Sequence, residues 1–93
     1  MVHRVVLSSR ARKDLAKVPR HILNKLDMWI DSVEREGLEN VRKLPGFHDE
    51  PLRGKRAGQR SIRLNIAWRA IYEVLPHGSV SCVSISEVTH HEY

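Results

Sequence analysis

The sequence predicts an α+β fold in which a helical hairpin packs on one face of an antiparallel β-sheet. Two stretches near the N-terminus repeat apolar residues at helical spacing, and both follow a short β-branched run. Three runs in the C-terminal half have the composition of strands. The predicted order is therefore β-α-α-β-β-β. A chain of 93 residues suits one core, so we expect a single domain spanning residues 1–93.

The first predicted strand and helix follow each other directly. The segment Val2–Leu7 is short and rich in β-branched residues, as is typical of a strand. Ser8 or Ser9 can cap the helix that follows, and Pro19 stops it. The apolar positions of this helix are Ala11, Leu15 and Val18.

The second predicted helix begins near Arg20 and ends at Gly37. Its apolar stripe predicts a buried face and consists of Ile22, Leu26, Trp29, Ile30 and Val33. We also expect Met28 in the core. A further helical turn is predicted between Leu38 and Leu44.

Three strands are predicted in the C-terminal half, at 59–64, 68–75 and 80–88. A polar loop at 45–51 precedes them, and the turn Pro76-His77-Gly78-Ser79 joins the last two as an antiparallel pair.

Alternation along these strands predicts which side chains share a face. Trp68 and Tyr72 should lie under the helices, so Arg69 should point to the opposite, open face. Ser61 and Arg63 on the preceding strand should share that face. We therefore expect a basic concave surface, flanked by the loop around residue 48 and by the chain end.

Composition restricts the class of protein. Cys82 is the single cysteine, which excludes an intrachain disulfide and a cysteine-based zinc site and fits a reducing compartment. No apolar run approaches the ~20 residues that span a bilayer. No signal-peptide pattern is present, so a cytoplasmic protein is expected.

Positive charge is concentrated in the middle of the chain. Between residues 42 and 69 there are eight basic residues against two acids, and no lysine or arginine follows Arg69. Such a block is either a solvated face or a surface for a polyanion, since neutralising phosphates dominates affinity for nucleic acids.

The segment 48–74, "HDEPLRGKRAGQRSIRLNIAWRAIYEV", and the terminal "EVTHHEY" resemble the RelE/HigB superfamily of toxins, especially its HigB-like branch. The resemblance depends on an ordered set: a His-x-Glu-Pro-Leu-x-Gly loop, a Gly-Gln turn, a Ser-Ile-Arg-Leu strand and a Trp-Arg strand start. It implies the toxin of a type II toxin–antitoxin system, an endoribonuclease that cuts messenger RNA, commonly on the ribosome. It also implies a cognate antitoxin as partner, and we expect no cofactor and no membrane.

The resemblance also assigns catalytic positions. Arg69 matches the arginine that contacts the scissile phosphate, against the alternative of a surface ion pair with Glu73. His48 matches a loop histidine that acts as an acid or base. At the chain end, His90 or His91 would be the general acid or base, and Tyr93 would stack on a base or orient the attacking hydroxyl. Neighbouring residues of a strand point to opposite faces, so only one of the two histidines is expected in the site.

Further residues are expected to bind RNA or its phosphates. They are Lys55, Arg56, Arg60, Arg63 and Trp68. A metal site is not expected, because adjacent His90 and His91 cannot readily ligate one ion from an extended strand.

Two other functions compete with the nuclease. ParE-like toxins are similar in fold but inhibit DNA gyrase, and they generally lack a convergent set of arginine, acid and base. A basic RNA-binding module without catalysis would keep its binding when the histidines are replaced.

Overall fold

The structure, a computed structural model, describes residues 1–90 and confirms the predicted α+β fold. The helices are α1 (Ser9–Leu15), α2 (Arg20–Glu36) and α3 (Leu38–Val41). The strands are β1 (Arg4–Leu7), β2 (Glu50–Pro51), β3 (Arg60–Arg63), β4 (Trp68–His77) and β5 (Val80–His90). Short 3-10 turns cover Pro45–Phe47 and Gly54–Arg56. The strand β2 was not predicted, since two residues are too few to show alternation.

The five strands form one mixed sheet in the order β1-β5-β4-β3-β2. The pairs β2–β3, β3–β4 and β4–β5 are antiparallel, whereas β1 pairs with β5 in parallel. The prediction of a wholly antiparallel sheet was therefore wrong for β1. Helices follow β1 directly, so β1 cannot form a hairpin with the next strand. A long connection through helices allows β1 to pair in parallel with a strand that is distant in sequence.

Local sequence signals fix the ends of the helices. The Ser8 hydroxyl accepts a hydrogen bond from the Ala11 amide at 3.0 Å and donates one to the Ser86 carbonyl at 2.8 Å, so the cap of α1 is also fastened to β5. Pro19 precedes α2, and Gly37 ends it with a φ of 89°.

No helix of residues 1–90 is long and apolar enough to cross a membrane.

The core lies between the helices and one face of the sheet. Trp29 of α2 contacts Tyr72 of β4, with ring centroids 5.2 Å apart, and both residues are fully buried. Ile22, Leu26 and Val33 are buried beside them, as the stripe predicted. The prediction for Met28 was wrong, because this residue is 59% exposed.

A β-bulge between β4 and β5 changes the register in the middle of the sheet. Ile71 pairs with Glu87, whereas its neighbour Tyr72 pairs with Ile85, so Ser86 is the extra residue. The two faces of β4 remain distinct across this point. Ala70 and Tyr72 belong to the core cluster, and the alternate side places Arg69 and Ile71 on the open face, as predicted.

Candidate active site

A cleft of about 360 Å³ lies on the open face of the sheet. The polar residues that line it come from β2 to β5 and from the basic turn before β3, and they are Glu50, Arg56, Ser61, Arg69, Glu87 and Thr89. We call this surface the open-face cleft. It is the basic surface that strand alternation predicted, but it also contains two carboxylates that were not assigned to it.

Arg69 is held in the cleft by the turn between β3 and β4. Its Nη1 donates to the carbonyls of Asn65 at 2.7 Å, Trp68 at 3.1 Å and Ile66 at 3.3 Å. The turn itself is closed by the Asn65 side chain, whose oxygen accepts from the amides of Ala67 and Trp68 at 2.8 Å. The Trp-Arg strand start therefore positions the guanidinium through the backbone of the preceding turn.

Arg63 stands directly opposite Arg69 in the β3–β4 register. Like charges in such a cross-strand pair repel each other. Within residues 1–90, the Arg63 Nε is buried and has no hydrogen-bond partner. The register thus places the two arginines opposite each other on neighbouring strands, and of the two it is Arg69 that lines the open-face cleft.

Glu87 connects the cleft to its surroundings through two ion pairs. Its Oε1 accepts from Arg56 Nη2 at 2.9 Å, and its Oε2 lies 3.3 Å from Arg10 Nη1 of α1. Arg56 also donates from Nε to the Gln59 side chain at 2.8 Å. The guanidinium of Arg56 is thus fixed at the rim of the cleft, whereas Lys55 beside it is exposed.

Glu50 is the residue of the cleft that sequence reasoning missed. It pairs with Ser61 across β2 and β3 and is exposed, so its carboxylate is accessible from solvent. A carboxylate on the same cleft as Arg69 is suited to accept a proton. The signal for it was the acidic residue two positions after His48, but the strand that orients it is too short for a periodicity to appear.

His48 occupies a strained position in the loop before β2. It caps the 3-10 turn Pro45–Phe47 with a left-handed φ of 46°, which is uncommon for a residue other than glycine. Its side chain is exposed, and no hydrogen bond or ion pair joins it to another of residues 1–90. The two residues after His48 point to opposite sides of the chain. The Asp49 side chain is buried, and Glu50 lines the cleft.

His90 lies with Trp68 and not with Arg69. The two residues are paired across β4 and β5, their rings meet edge to face at 5.1 Å, and Trp68 packs against the core cluster. Arg69 and its partner Thr89 are on the other side of the same strands. The predicted site residues His91 and Tyr93 lie outside the described residues.

Arg60 lies on the helix side of the sheet and takes part in a network beneath it. Its Nε donates to the Asp49 carboxylate at 2.5 Å, and the same carboxylate accepts from the Tyr72 hydroxyl at 2.5 Å. Arg42 Nε donates to that hydroxyl at 3.1 Å. The structure therefore does not bring Arg60 together with Arg69, although both were expected to contact RNA.

The network lies below a second cavity of about 240 Å³, which we call the Arg42 recess. Its walls include Arg42, Pro51, Arg60, Tyr72 and Val74. Burial, together with the hydrogen bond to Asp49, raises the pKa of Tyr72 to about 12 against the lowering effect of the hydrogen bond from Arg42. The hydroxyl is therefore protonated at neutral pH, and it donates its one hydrogen to Asp49.

Asp49 also determines the state of Arg60. Burial lowers the pKa of the Arg60 guanidinium, but the hydrogen bond and the charge of Asp49 outweigh this effect and leave the pKa raised. The Asp49 side chain is only 1% exposed, so both of its oxygens serve the network and not the solvent.

Known structures share this fold. A YoeB/ParE toxin from Agrobacterium tumefaciens has a TM-score of 0.71 and 21% identity, over 96% of this chain and 99% of that one. The RelBE2 toxin–antitoxin complex from Mycobacterium tuberculosis gives 0.69 and 27%, over 98% and 100% of the two chains. YafQ from E. coli gives 0.73 and 17%, over 95% and 92%. The fold of this chain is RelE-like.

These structural neighbours are toxins of the RelE superfamily. No family model matches the sequence, and no curated protein matches it. The RelE-like assignment therefore depends on the arrangement of the elements, and the branch of the superfamily is not distinguished by it.

Proposed function

We propose that this RelE-like chain is the toxin of a type II toxin–antitoxin system and an endoribonuclease that cleaves messenger RNA, on the ribosome. The observation that carries the proposal is the position of Arg69. A guanidinium fixed by three backbone carbonyls lies in an open cleft together with the Glu50 carboxylate, on the face that the helices leave uncovered.

The cleft contains groups suited to cleavage without a metal. A base removes the proton of the 2′-hydroxyl, whose oxygen then forms a bond to phosphorus while the bond to the 5′-oxygen breaks. Glu50 in the cleft and His48 in the loop before β2 are the candidates for this base, and Arg69 and Arg56 in the cleft can stabilise the charge that develops on the phosphoryl oxygens. The acid that protonates the leaving 5′-oxygen is expected at His91 or Tyr93, because His90 lies with Trp68 on the other side of the strands from Arg69.

Electrostatics support a polyanionic substrate. Arg63 and Arg69 are paired in the β3–β4 register, so two positive charges lie on neighbouring strands, and phosphate groups are suited to bind beside them. Arg56 at the rim extends the same positive surface.

A cleavage assay tests the proposal directly. The purified chain is incubated with a reporter transcript, with and without ribosomes, and breaks are mapped by primer extension. We expect defined breaks with the native chain and none with a variant in which His48, His90 and His91 are alanine. Unbroken RNA with the native chain would contradict the proposal, and RNA binding without breaks would support the non-catalytic module.

Inhibition of DNA gyrase is the second candidate, because one structural neighbour is named as a YoeB/ParE toxin. The same preparations are tested for inhibition of gyrase supercoiling. Inhibition without RNA breaks would favour this function over the nuclease.

We further propose a cognate antitoxin as partner, since the matched chain of RelBE2 belongs to a toxin–antitoxin complex. Assignment to the HigB-like branch and location in the cytoplasm stay predictions from the sequence.

A further inference from the structure

The Arg42 recess lies back to back with the open-face cleft. The strands β2, β3 and β4 line both cavities with alternate residues: Glu50, Ser61 and Ile71 face the cleft, and Pro51, Arg60 and Tyr72 face the recess. A substrate in the cleft therefore leaves the recess unoccupied. The nuclease chemistry proposed above uses none of the recess side chains.

Each of the two arginines of the recess directs the Nε side of its guanidinium toward the buried network. Arg42 Nε is bonded to the Tyr72 hydroxyl, and Arg60 Nε is bonded to Asp49. The terminal Nη atoms take no part in these two hydrogen bonds. Neither arginine is fully buried, so solvent or a ligand can reach the outer edge of each guanidinium.

The local charge is positive. Asp49 is enclosed and already accepts two hydrogen bonds, so it neutralises one of the two guanidinium groups. Glu73 also borders the recess, but alternation along β4 directs its side chain to the opposite face from Tyr72. The recess thus retains the equivalent of one unneutralised guanidinium.

The orientation of these groups is set before a ligand arrives. The Tyr72 hydroxyl donates to Asp49 and accepts from Arg42, so it fixes the plane of the Arg42 guanidinium. A planar donor group in a fixed position favours a planar, bidentate acceptor such as a carboxylate. Less entropy is then lost on binding.

We propose that the Arg42 recess binds the side-chain carboxylate of an aspartate or glutamate on a protein partner. Pro51 and the 38% exposed Val74 provide apolar walls beside the arginines, which suits an acidic side chain with apolar neighbours better than a phosphate chain. The net charge of +5 favours an acidic partner. The inference rests on the proposed function only in taking the antitoxin as that partner.

The site is tested first with a minimal probe. N-acetyl-glutamate methylamide carries one side-chain carboxylate, and its titration is followed by NMR through the Nε–H signals of Arg42 and Arg60. We expect saturable shifts of these signals, and none with N-acetyl-glutamine methylamide. Equal or larger shifts with dimethyl phosphate would overturn the proposal in favour of RNA, and no shift with the carboxylate would also overturn it.

Variants separate the recess from general positive charge. Arg42→Met should weaken binding of the probe at least about tenfold, because one partner of the charge pair is lost. Arg12→Met, which removes an exposed arginine of α1, should leave it unchanged. Tyr72→Phe retains both arginines but no longer orients Arg42, and it should weaken binding several-fold. Unchanged affinity in Arg42→Met would overturn the proposal.

The partner is tested with the protein encoded beside this chain. Its affinity should fall at least about tenfold with Arg42→Met and not with Arg12→Met. Equal affinities would overturn the assignment of a protein carboxylate. This outcome is independent of RNA cleavage, so failure of the inference and failure of the proposed nuclease are distinguishable.

Discussion

The open-face cleft and the Arg42 recess use the same strands for opposite purposes. In the cleft, Glu50 and Arg56 are exposed to solvent. In the recess, Asp49 is enclosed and each inward donor has its acceptor. Consecutive residues, Asp49 and Glu50, thus serve a structural network and a candidate reaction site. The comparison shows that the type of residue does not determine its role; the side of the strand does.

The largest expected effect is on the rate of RNA cleavage, which should depend on Arg69 and not on an arginine outside the cleft. Arg69→Ala should reduce the rate of RNA cleavage ~100- to 1000-fold, because a fixed charge opposite the developing oxyanion is removed. Arg12→Ala is the matched control on α1 and should cleave at the native rate. Single-turnover cleavage measures both rates. An equal loss in the control would mean that overall charge, and not the cleft, determines the rate.

The next effect is a loss of stability at alkaline pH, which is expected from the Tyr72 hydroxyl in the recess. Because the pKa of Tyr72 is raised from 10.0 to about 12, the folded chain holds this proton in a range where the unfolded chain loses it. The contribution is complete below the unfolded pKa and is lost as the pH rises through the folded pKa. The free energy of unfolding should therefore fall by about 3 kcal/mol across this range.

Urea unfolding at a series of alkaline pH values measures that decline. Tyr72→Phe has no hydroxyl to ionise, so its stability should decline less over the same range. Parallel declines in the two proteins would show that Tyr72 is not held in its neutral form.

A smaller effect compares a buried and an exposed carboxylate with the same type of partner. Asp49 is paired with Arg60 Nε and is 1% exposed, whereas Asp31 is paired with Arg35 Nε on α2 and is 64% exposed. Asp49→Asn should lower the free energy of unfolding by about 1–3 kcal/mol, because an amide cannot accept from both donors. Asp31→Asn should change it by less than about 0.5 kcal/mol. Equal values in urea unfolding would show that the recess network adds no stability.

The smallest effect concerns the carboxylate of Glu87 in the cleft. Glu87→Gln removes a negative charge between Arg10 and Arg56, so affinity for RNA should rise about threefold to fivefold. Fluorescence anisotropy with an oligonucleotide blocked at its 2′-hydroxyls measures this without cleavage. Asp31→Asn is again the control. Weaker binding would instead show that Glu87 serves to orient Arg56 for the phosphate.

Much of the fold could be predicted because its signals are local. The Ser8 cap, the apolar stripe of α2 and the alternation of β4 each occur within a few residues. The direction of β1 could not be predicted, because a parallel partner near the other end of the chain leaves no mark in either strand. Met28 was misplaced because it adjoins Trp29 on the helix, and adjacent helical residues diverge in direction.

The candidate site was predicted in part for a related reason. Alternation placed Arg69 and Arg63 on the open face, and the sheet pairs them. Arg60 was grouped with them by its charge, but its position one residue before Ser61 turns it to the helix side. Glu50 and Glu87 enter the cleft through pairing between strands distant in sequence, which a reading along the chain does not show.

The pairing of β1 with β5 affects when the sheet can form during synthesis. The Ser8 hydroxyl bonds to a carbonyl 78 residues later, and the cleft takes Glu87 and Thr89 from the same late strand. A growing polypeptide therefore lacks both the partner of its first strand and part of the open-face cleft until β5 has been synthesised. Pairing at this sequence distance is also slow to form. A chain interrupted before β5 would thus have neither a complete sheet nor a complete cleft.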